Sequence, residues 1–238
     1  MGLIVDRTSQ TGPLEGLLEA PGAGLLLDLD GTLVDSEAVH QAAYREYFAG
    51  RGWRVEDLVL WEFSGRRAPE VFATLDGPWN GEDPIALTEG VFAALRASTV
   101  QPEPVAGAAR LIAACAQAGL PVAVVTSARR DWVKKVLDQL GAGDPAMPMV
   151  TAEDCEAGKP DPEPFRCGAE LLGLRPGDLI AAEDSPAGIA SARGAGIGHV
   201  IGIRTSNAGP DLLAAGAHTT APDLEALADL VDTLNRTR

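Results

Sequence analysis

Leu25-Leu26-Leu27-Asp28-Leu29-Asp30-Gly31-Thr32-Leu33-Val34-Asp35-Ser36 is an apolar run that stops at two carboxylates one residue apart and passes at once into Gly-Thr. A short continuous apolar run reads as a strand buried on both faces of a parallel sheet. In open α/β sheets, ligands bind beyond the carboxyl ends of the strands. Asp28 and Asp30 are therefore expected to project together into such a crevice, with Leu29 turned away between them. Two acids at that spacing are costly unless a cation or a proton occupies the gap. The pair suits one carboxylate as nucleophile and metal ligand and the other as proton carrier. A solvated Asp-Gly turn uses the same residue types, so the rest of the chain has to discriminate.

Downstream of Ser36 the pattern becomes helical. Glu37 to Phe48 places Val39, Ala42, Ala43 and Tyr44 on one side. Further helical stretches follow at Leu58–Trp61, Pro69–Leu75 and Ile85–Leu95, broken by Gly65, Gly77-Pro78 and Gly81, with no alternating strand among them. Residues 101–107 are Pro-rich and read as a connector. Helices and apolar strands then alternate. The helices are Ala108–Ala118, one capped by Asp131 and running to Leu140, Pro162–Leu172, one from Pro186, and Asp223–Leu234. The strands are Val122–Thr126, Met149–Thr151, Leu179–Glu183 and Val200–Ile203.

This alternation predicts an α/β fold, a doubly wound parallel-sheet (Rossmann-like) core with an inserted all-helical cap domain. Residues 24–36 and 106–238 form the catalytic core, and 37–105 form the helical cap above the crevice. Residues 1–23, rich in Gly, Pro and Glu, read as a leader with freedom to move.

Composition narrows the function. The chain has 238 residues, 46% of them hydrophobic, enough for one large or two smaller cores. A formal charge of −15 argues against nucleic acid and anionic membrane surfaces, which need basic patches. No stretch approaches the roughly 18–20 apolar residues of a membrane span, and the N-terminal residues lack the pattern of a signal peptide. Cys115, Cys155 and Cys167 are widely spaced and read as reduced thiols of a cytoplasmic protein.

Three more polar signals fall at predicted strand ends or in the loops beside them. Thr126-Ser127 offers a hydroxyl and main-chain amides, although a helix cap would look the same. Lys159 sits among prolines in Gly158-Lys159-Pro160-Asp161-Pro162, a rigid frame for an ammonium group or simply a surface lysine. Glu183-Asp184-Ser185-Pro186 adds a second acidic pair, which also fits a helix start. Mg²⁺ takes oxygen ligands and usually one or two protein carboxylates. Asp28 and Asp184, with the main-chain carbonyl of Asp30 and with Glu183 directly or through water, would supply them.

The set DLDGTLVDS, VVTSA, GKPDPEPF and EDSPAGI resembles the haloacid dehalogenase superfamily, specifically its phosphatases and phosphomutases with a helical cap after the first motif. The likeness covers roughly residues 24–205. It implies a Mg²⁺-dependent phosphomonoesterase acting on a small phosphate ester through an aspartyl phosphate. In that scheme Asp28 is the nucleophile, Asp30 the acid and base, and Lys159 a restraint on neighbouring charge. Thr126, Ser127, Gly31 and Lys159 hold the phosphate. In the cap, SGRRAPEVF resembles the sugar-phosphatase and glycerol-phosphate-phosphatase branch. Arg66 would face the substrate and Arg67 the solvent, and His40 stands near the hinge where it can touch either the acid or the substrate. A β-phosphoglucomutase-like mutase shares all four motifs, but its cap must hold a second phosphate, and residues 37–105 contain no lysine. A non-catalytic binding or regulatory protein would be expected to have lost one of the key residues, and all are present.

Overall fold

A computed structural model describes residues 12–98, 101–142 and 147–237. Six parallel strands form one sheet in the order β5-β4-β1-β6-β7-β8. They are β1 (Gly24–Leu27), β4 (Val122–Val125), β5 (Met149–Val150), β6 (Leu179–Glu183), β7 (His199–Ile203) and β8 (Thr219–Ala221). Burial on both faces explains their unbroken apolar character, and side chains alternate between faces with the period of two that a strand imposes. Leu25, Leu27, Val124, Ile180 and Ala182 pack on one face, beneath α1 (Gly12–Glu19), α6 (Ala108–Ala118), α7 (Arg130–Gln139) and α11 (Glu225–Thr237). Leu26, Ala123, Val125 and Ala181 pack on the other, beneath α8 (Glu163–Leu172), α9 (Pro186–Gly194) and α10 (Gly209–Ala214). No helix among the described residues is long and apolar enough to cross a membrane.

The leader expected over residues 1–23 is corrected from residue 12 onward. Helix α1 buries Leu14 and Leu18 in the core, so hydrophobic docking holds it despite its glycines and proline. Residues 1–11 lie outside the described residues. Two further elements went unseen in the sequence. Strands β2 (Val34–Asp35) and β3 (Glu103–Pro104) pair antiparallel at the base of the insertion, where a Pro-rich connector was expected. Asp131 does not cap α7: Arg129 holds that position and Asp131 lies in the first turn.

Between these two short strands the insertion builds its own core. Helix α2 (Glu37–Gly50) buries Val39, Ala43, Tyr44 and Phe48, a helical stripe. The stripe meets Leu87 and Val91 of α5 (Pro84–Ala97) and Val71 and Phe72 of α4 (Ala68–Thr74). Trp79, 1% exposed, stacks on Phe48 at 5.3 Å and donates its indole N–H to the Leu75 carbonyl. Asp83 caps α5 by accepting the Ile85 amide, with Pro84 at the first helical position.

At the far edge of the core, His199 stacks on His218 at 4.9 Å. Burial pushes the His199 imidazole down to about 4, and the His218 charge adds to this. The folded state thus binds the proton less tightly than the unfolded chain, so the stability present at neutral pH is lost as pH falls from 6.5 towards about 4. Between pH 7 and pH 5 this single group costs about 2 kcal/mol. The expected outcome is that His199→Gln reduces the acid shift of the urea midpoint by that amount. An unchanged shift would place the sensitivity elsewhere.

Candidate active site

Three adjacent strands deliver the site. Leu27 is in register with Val124 on one side and Ala182 on the other, so the chain beyond β1, β4 and β6 emerges at one edge of the sheet. Asp28 follows β1, Thr126 follows β4, and Glu183 and Asp184 close β6.

Lys159 is fully buried and joins the set from the loop before α8. Its Nζ donates to Asp28 Oδ1 at 2.6 Å, to Glu183 Oε1 at 2.6 Å and to the Val125 carbonyl at 3.0 Å. Burial alone would lower its pKa, but the two carboxylates outweigh burial and raise it, so the ammonium stays charged.

Asp28, Glu183 and Asp184 are all buried, with one carboxylate oxygen from each within 4.8 Å of the others. Three carboxylates thus face one ammonium. Burial pushes Asp28 up to about 8, with Lys159 pulling the other way and Glu183 adding to the rise. Burial and the charges of Glu183 and Asp28 likewise push Asp184 well up. A surplus of buried negative charge on hard oxygen donors fits a divalent cation such as Mg²⁺ and poorly suits a soft metal. The two oxygens of Glu183 are already engaged, Oε1 by Lys159 and Oε2 by the Ser185 amide and hydroxyl. Asp28 and Asp184 are the freer ligands.

Asp30 faces the other way. Its Oδ1 accepts from Ser36 Oγ at 2.6 Å, His40 Nε2 at 3.0 Å and Trp132 Nε1 at 2.9 Å. Burial pushes its carboxyl up, but the charge and hydrogen bond of His40, with the Ser36 and Trp132 donors, outweigh burial and hold it below the ordinary value. His40 responds in kind: burial would lower it, and Asp30 raises it. Asp28 and Asp30 are thus driven in opposite directions by their surroundings, the usual sign of two carboxylates with different tasks.

Gly31 has φ +85, and the Asp184 carboxylate lies where a Cβ would stand. Its amide donates to the Val34 carbonyl at 2.7 Å, and the missing side chain leaves the room that the Asp184 carboxylate occupies. Thr126 Oγ1 accepts the Ala128 amide and opens the turn after β4. Ser127 Oγ donates to the carbonyl of cap residue Gly65 at 3.0 Å.

A cavity of about 240 Å³ lies between this edge and the cap, bounded by Asp28, Asp30 and Thr126 below and by Arg66, Phe92 and Arg96 above. Arg66 reaches it, and its buried Nε has no hydrogen-bond partner. Arg67, expected in solvent, is instead mostly buried and donates to the carbonyls of Glu156 and Cys155. Beside it, Glu70 accepts the Gly158 amide at 2.9 Å. The cap thus grips the loop that carries Lys159. Trp61 and Trp79 lie outside the cavity lining.

Residues 23–196 match the family model of the haloacid dehalogenase-like hydrolases. The chain belongs to that family. This hydrolase is 36% identical over 188 residues to a validoxylamine A 7'-phosphate phosphatase of Streptomyces hygroscopicus subsp. limoneus, covering 76% of its own chain and 85% of the relative. It is 32% identical to hexitol phosphatase A of Escherichia coli strain K12, covering 76% and 82%. Among solved structures it resembles a hydrolase from Pseudomonas syringae, with TM-score 0.81 at 23% identity over 88% and 98% of the two chains. It also resembles a putative beta-phosphoglucomutase from Bacteroides vulgatus, with TM-score 0.77 at 23% identity over 94% and 96%. The last two likenesses concern the fold.

Trp132, Ser36, Arg67 and Glu70 are the members of the hydrolase's site region that sequence reasoning missed or misplaced. Ser36 stood inside the first motif, and an aromatic in the first turn of the helix after Thr126-Ser127 was the available signal for Trp132.

Proposed function

We propose that the protein is a Mg²⁺-dependent phosphomonoesterase that hydrolyses a small sugar or polyol phosphate through an aspartyl phosphate on Asp28. The observation that carries this reading is the buried cluster of Lys159, Asp28, Glu183 and Asp184, which meets through Asp28 a cavity that Asp30 also lines. Asp28 and Asp184, with the Asp30 carbonyl, would hold the ion. Bound there, Mg²⁺ offsets the negative charge that carboxylates and phosphate bring together.

An Asp28 oxygen attacks phosphorus as the ester P–O bond breaks, dividing one difficult displacement into two. Asp30 passes a proton to the departing alkoxide and later takes one from the water that hydrolyses the acyl phosphate. Lys159 fixes the Asp28 carboxylate. The Thr126 hydroxyl and the Ser127 main-chain amide hold phosphate oxygens, and the Ser127 hydroxyl ties that grip to cap residue Gly65. Arg66, with its unpartnered Nε, addresses the polar body of the substrate. His40 acts on the acid: its imidazole is committed to Asp30.

The relatives named for a validoxylamine phosphate and for hexitol phosphates support a polyhydroxylated substrate, as does the modest volume of the cavity. The test is phosphate release across glycerol phosphates, hexitol phosphates, hexose 6-phosphates, 2-deoxyglucose 6-phosphate and phosphoglycolate. The expected outcome is release from at least one sugar or polyol ester, abolished by a chelator and restored by Mg²⁺. Conversion of β-glucose 1-phosphate to glucose 6-phosphate without free phosphate, in the presence of catalytic bisphosphate, would assign a mutase. No turnover of any ester would leave a binding protein.

A further inference from the structure

Three donors converge on one oxygen of Asp30, and they come from different bodies of the protein. Ser36 and His40 belong to the start of the insertion, at the threshold and in the first turn of α2. Trp132 belongs to the core, in the first turn of α7, which the β-sheet anchors through buried Val133, Val136 and Leu137. Its ring meets the edge of His40 at 5.5 Å and carries the Lys135 ammonium 5.5 Å from its centre. The same ring lines the cavity beside Asp28 and Asp30.

A carboxylate turns freely about its last side-chain bond unless donors fix it. With all three donors on Oδ1, the other oxygen is the one turned to the reacting ester. Trp132 is partly buried against the core, and its indole N–H is spent on Asp30, a contact that an aromatic ring without an N–H could not make. We propose that Trp132 is a positioning residue for the known chemistry of this family: its indole N–H is the core-borne donor that keeps Asp30 Oδ2 aimed at the leaving-group oxygen. The inference rests on the phosphatase reading above. In the step concerned, an Asp28 oxygen bonds to phosphorus, the ester P–O bond breaks with its electron pair on oxygen, and that oxygen takes the proton from Asp30 Oδ2.

The test is Trp132→Phe, which keeps a ring against His40 and removes only the N–H. Poor leaving groups depend on a well-aimed acid, whereas p-nitrophenolate leaves without protonation. The phosphorylation half-reaction, followed in single turnover with Mg²⁺, is expected to slow about tenfold on the alkyl phosphate the protein hydrolyses best. On p-nitrophenyl phosphate it should change by less than about twofold, with KM for both esters unmoved. In an Asp30→Asn background the same substitution should have no further effect, because the group it aims is gone. Trp132→His, which restores an N–H, should recover part of the lost rate and stands in should the Phe variant fold poorly.

Equal losses on both esters, a rise in KM alone, or full additivity with Asp30→Asn would each overturn the inference while leaving the phosphatase reading intact. A wild-type protein inert toward both esters would overturn both.

Discussion

Asp28→Asn is expected to stop phosphate release, with turnover down by at least about 10³-fold, as loss of a covalent nucleophile does elsewhere. The amide matches the carboxylate in shape but cannot form the acyl phosphate. The same substitution should raise the melting temperature of the metal-free protein at pH 7. Burial lifts the Asp28 carboxyl to about 8, Lys159 opposing and Glu183 assisting. The folded state therefore holds that proton more tightly than the unfolded chain. The stability this gives is present below the ordinary carboxylate pKa and is lost as pH rises towards about 8. At neutral pH the chain must therefore take up a proton at Asp28 in order to fold, which costs stability, and a neutral amide removes that cost. Scanning calorimetry in chelator and a phosphate assay in Mg²⁺ check the two halves. Turnover within tenfold of wild type would exclude Asp28 as nucleophile, and a lower melting temperature would contradict the charge account.

Lys159→Met should be the most destabilising single change in the site. The side chain is wholly enclosed, and its ammonium touches Asp28, Glu183 and the Val125 carbonyl, 5.3 Å from the centre of the Phe165 ring. Methionine fills the space, so packing is nearly conserved, but two buried carboxylates lose their cation. Breaking a buried pair in this way costs about 3–5 kcal/mol. For a chain of this size that lowers the melting temperature by roughly 6–20 °C. Adding Glu183→Gln should return part of that stability without returning activity, because the phosphate site still lacks its positive charge. Thermal melts of the single and double variants, alongside phosphate release, decide this. A Lys159→Met protein that melts with the wild type would mean that the carboxylates are neutral in the folded state.

The sheet and the acidic residues at its edge were legible because both are written locally. Unbroken apolar runs mark strands buried on both faces, and Asp28, Thr126 and Glu183-Asp184 each stand where such a run stops. What escaped was set by tertiary contact. Trp132 meets Asp30 across 102 positions of sequence, and no periodicity carries that information. Arg67 looked solvent-facing because a helical stripe says nothing of what lies opposite it. In the fold the Lys159 loop lies there, offering bare carbonyls at 155 and 156. Helix α1 was hidden by Gly12, Pro13 and Gly16, residues that weaken a helix unless packing overrides them. The paired strands at 34–35 and 103–104 are too short to show alternation at all.

That small ladder bears on how the protein can change. Because Val34 lies opposite Pro104 and Asp35 opposite Glu103, the chain departs from the core and comes back at a single point. The sheet therefore experiences everything between as a loop whose ends are already joined. Doubling the length of such a loop costs only about 0.6 kcal/mol. The far part of the insertion can therefore change in length without re-pairing the sheet, whereas its first residues, Ser36 and His40, stay tied to Asp30.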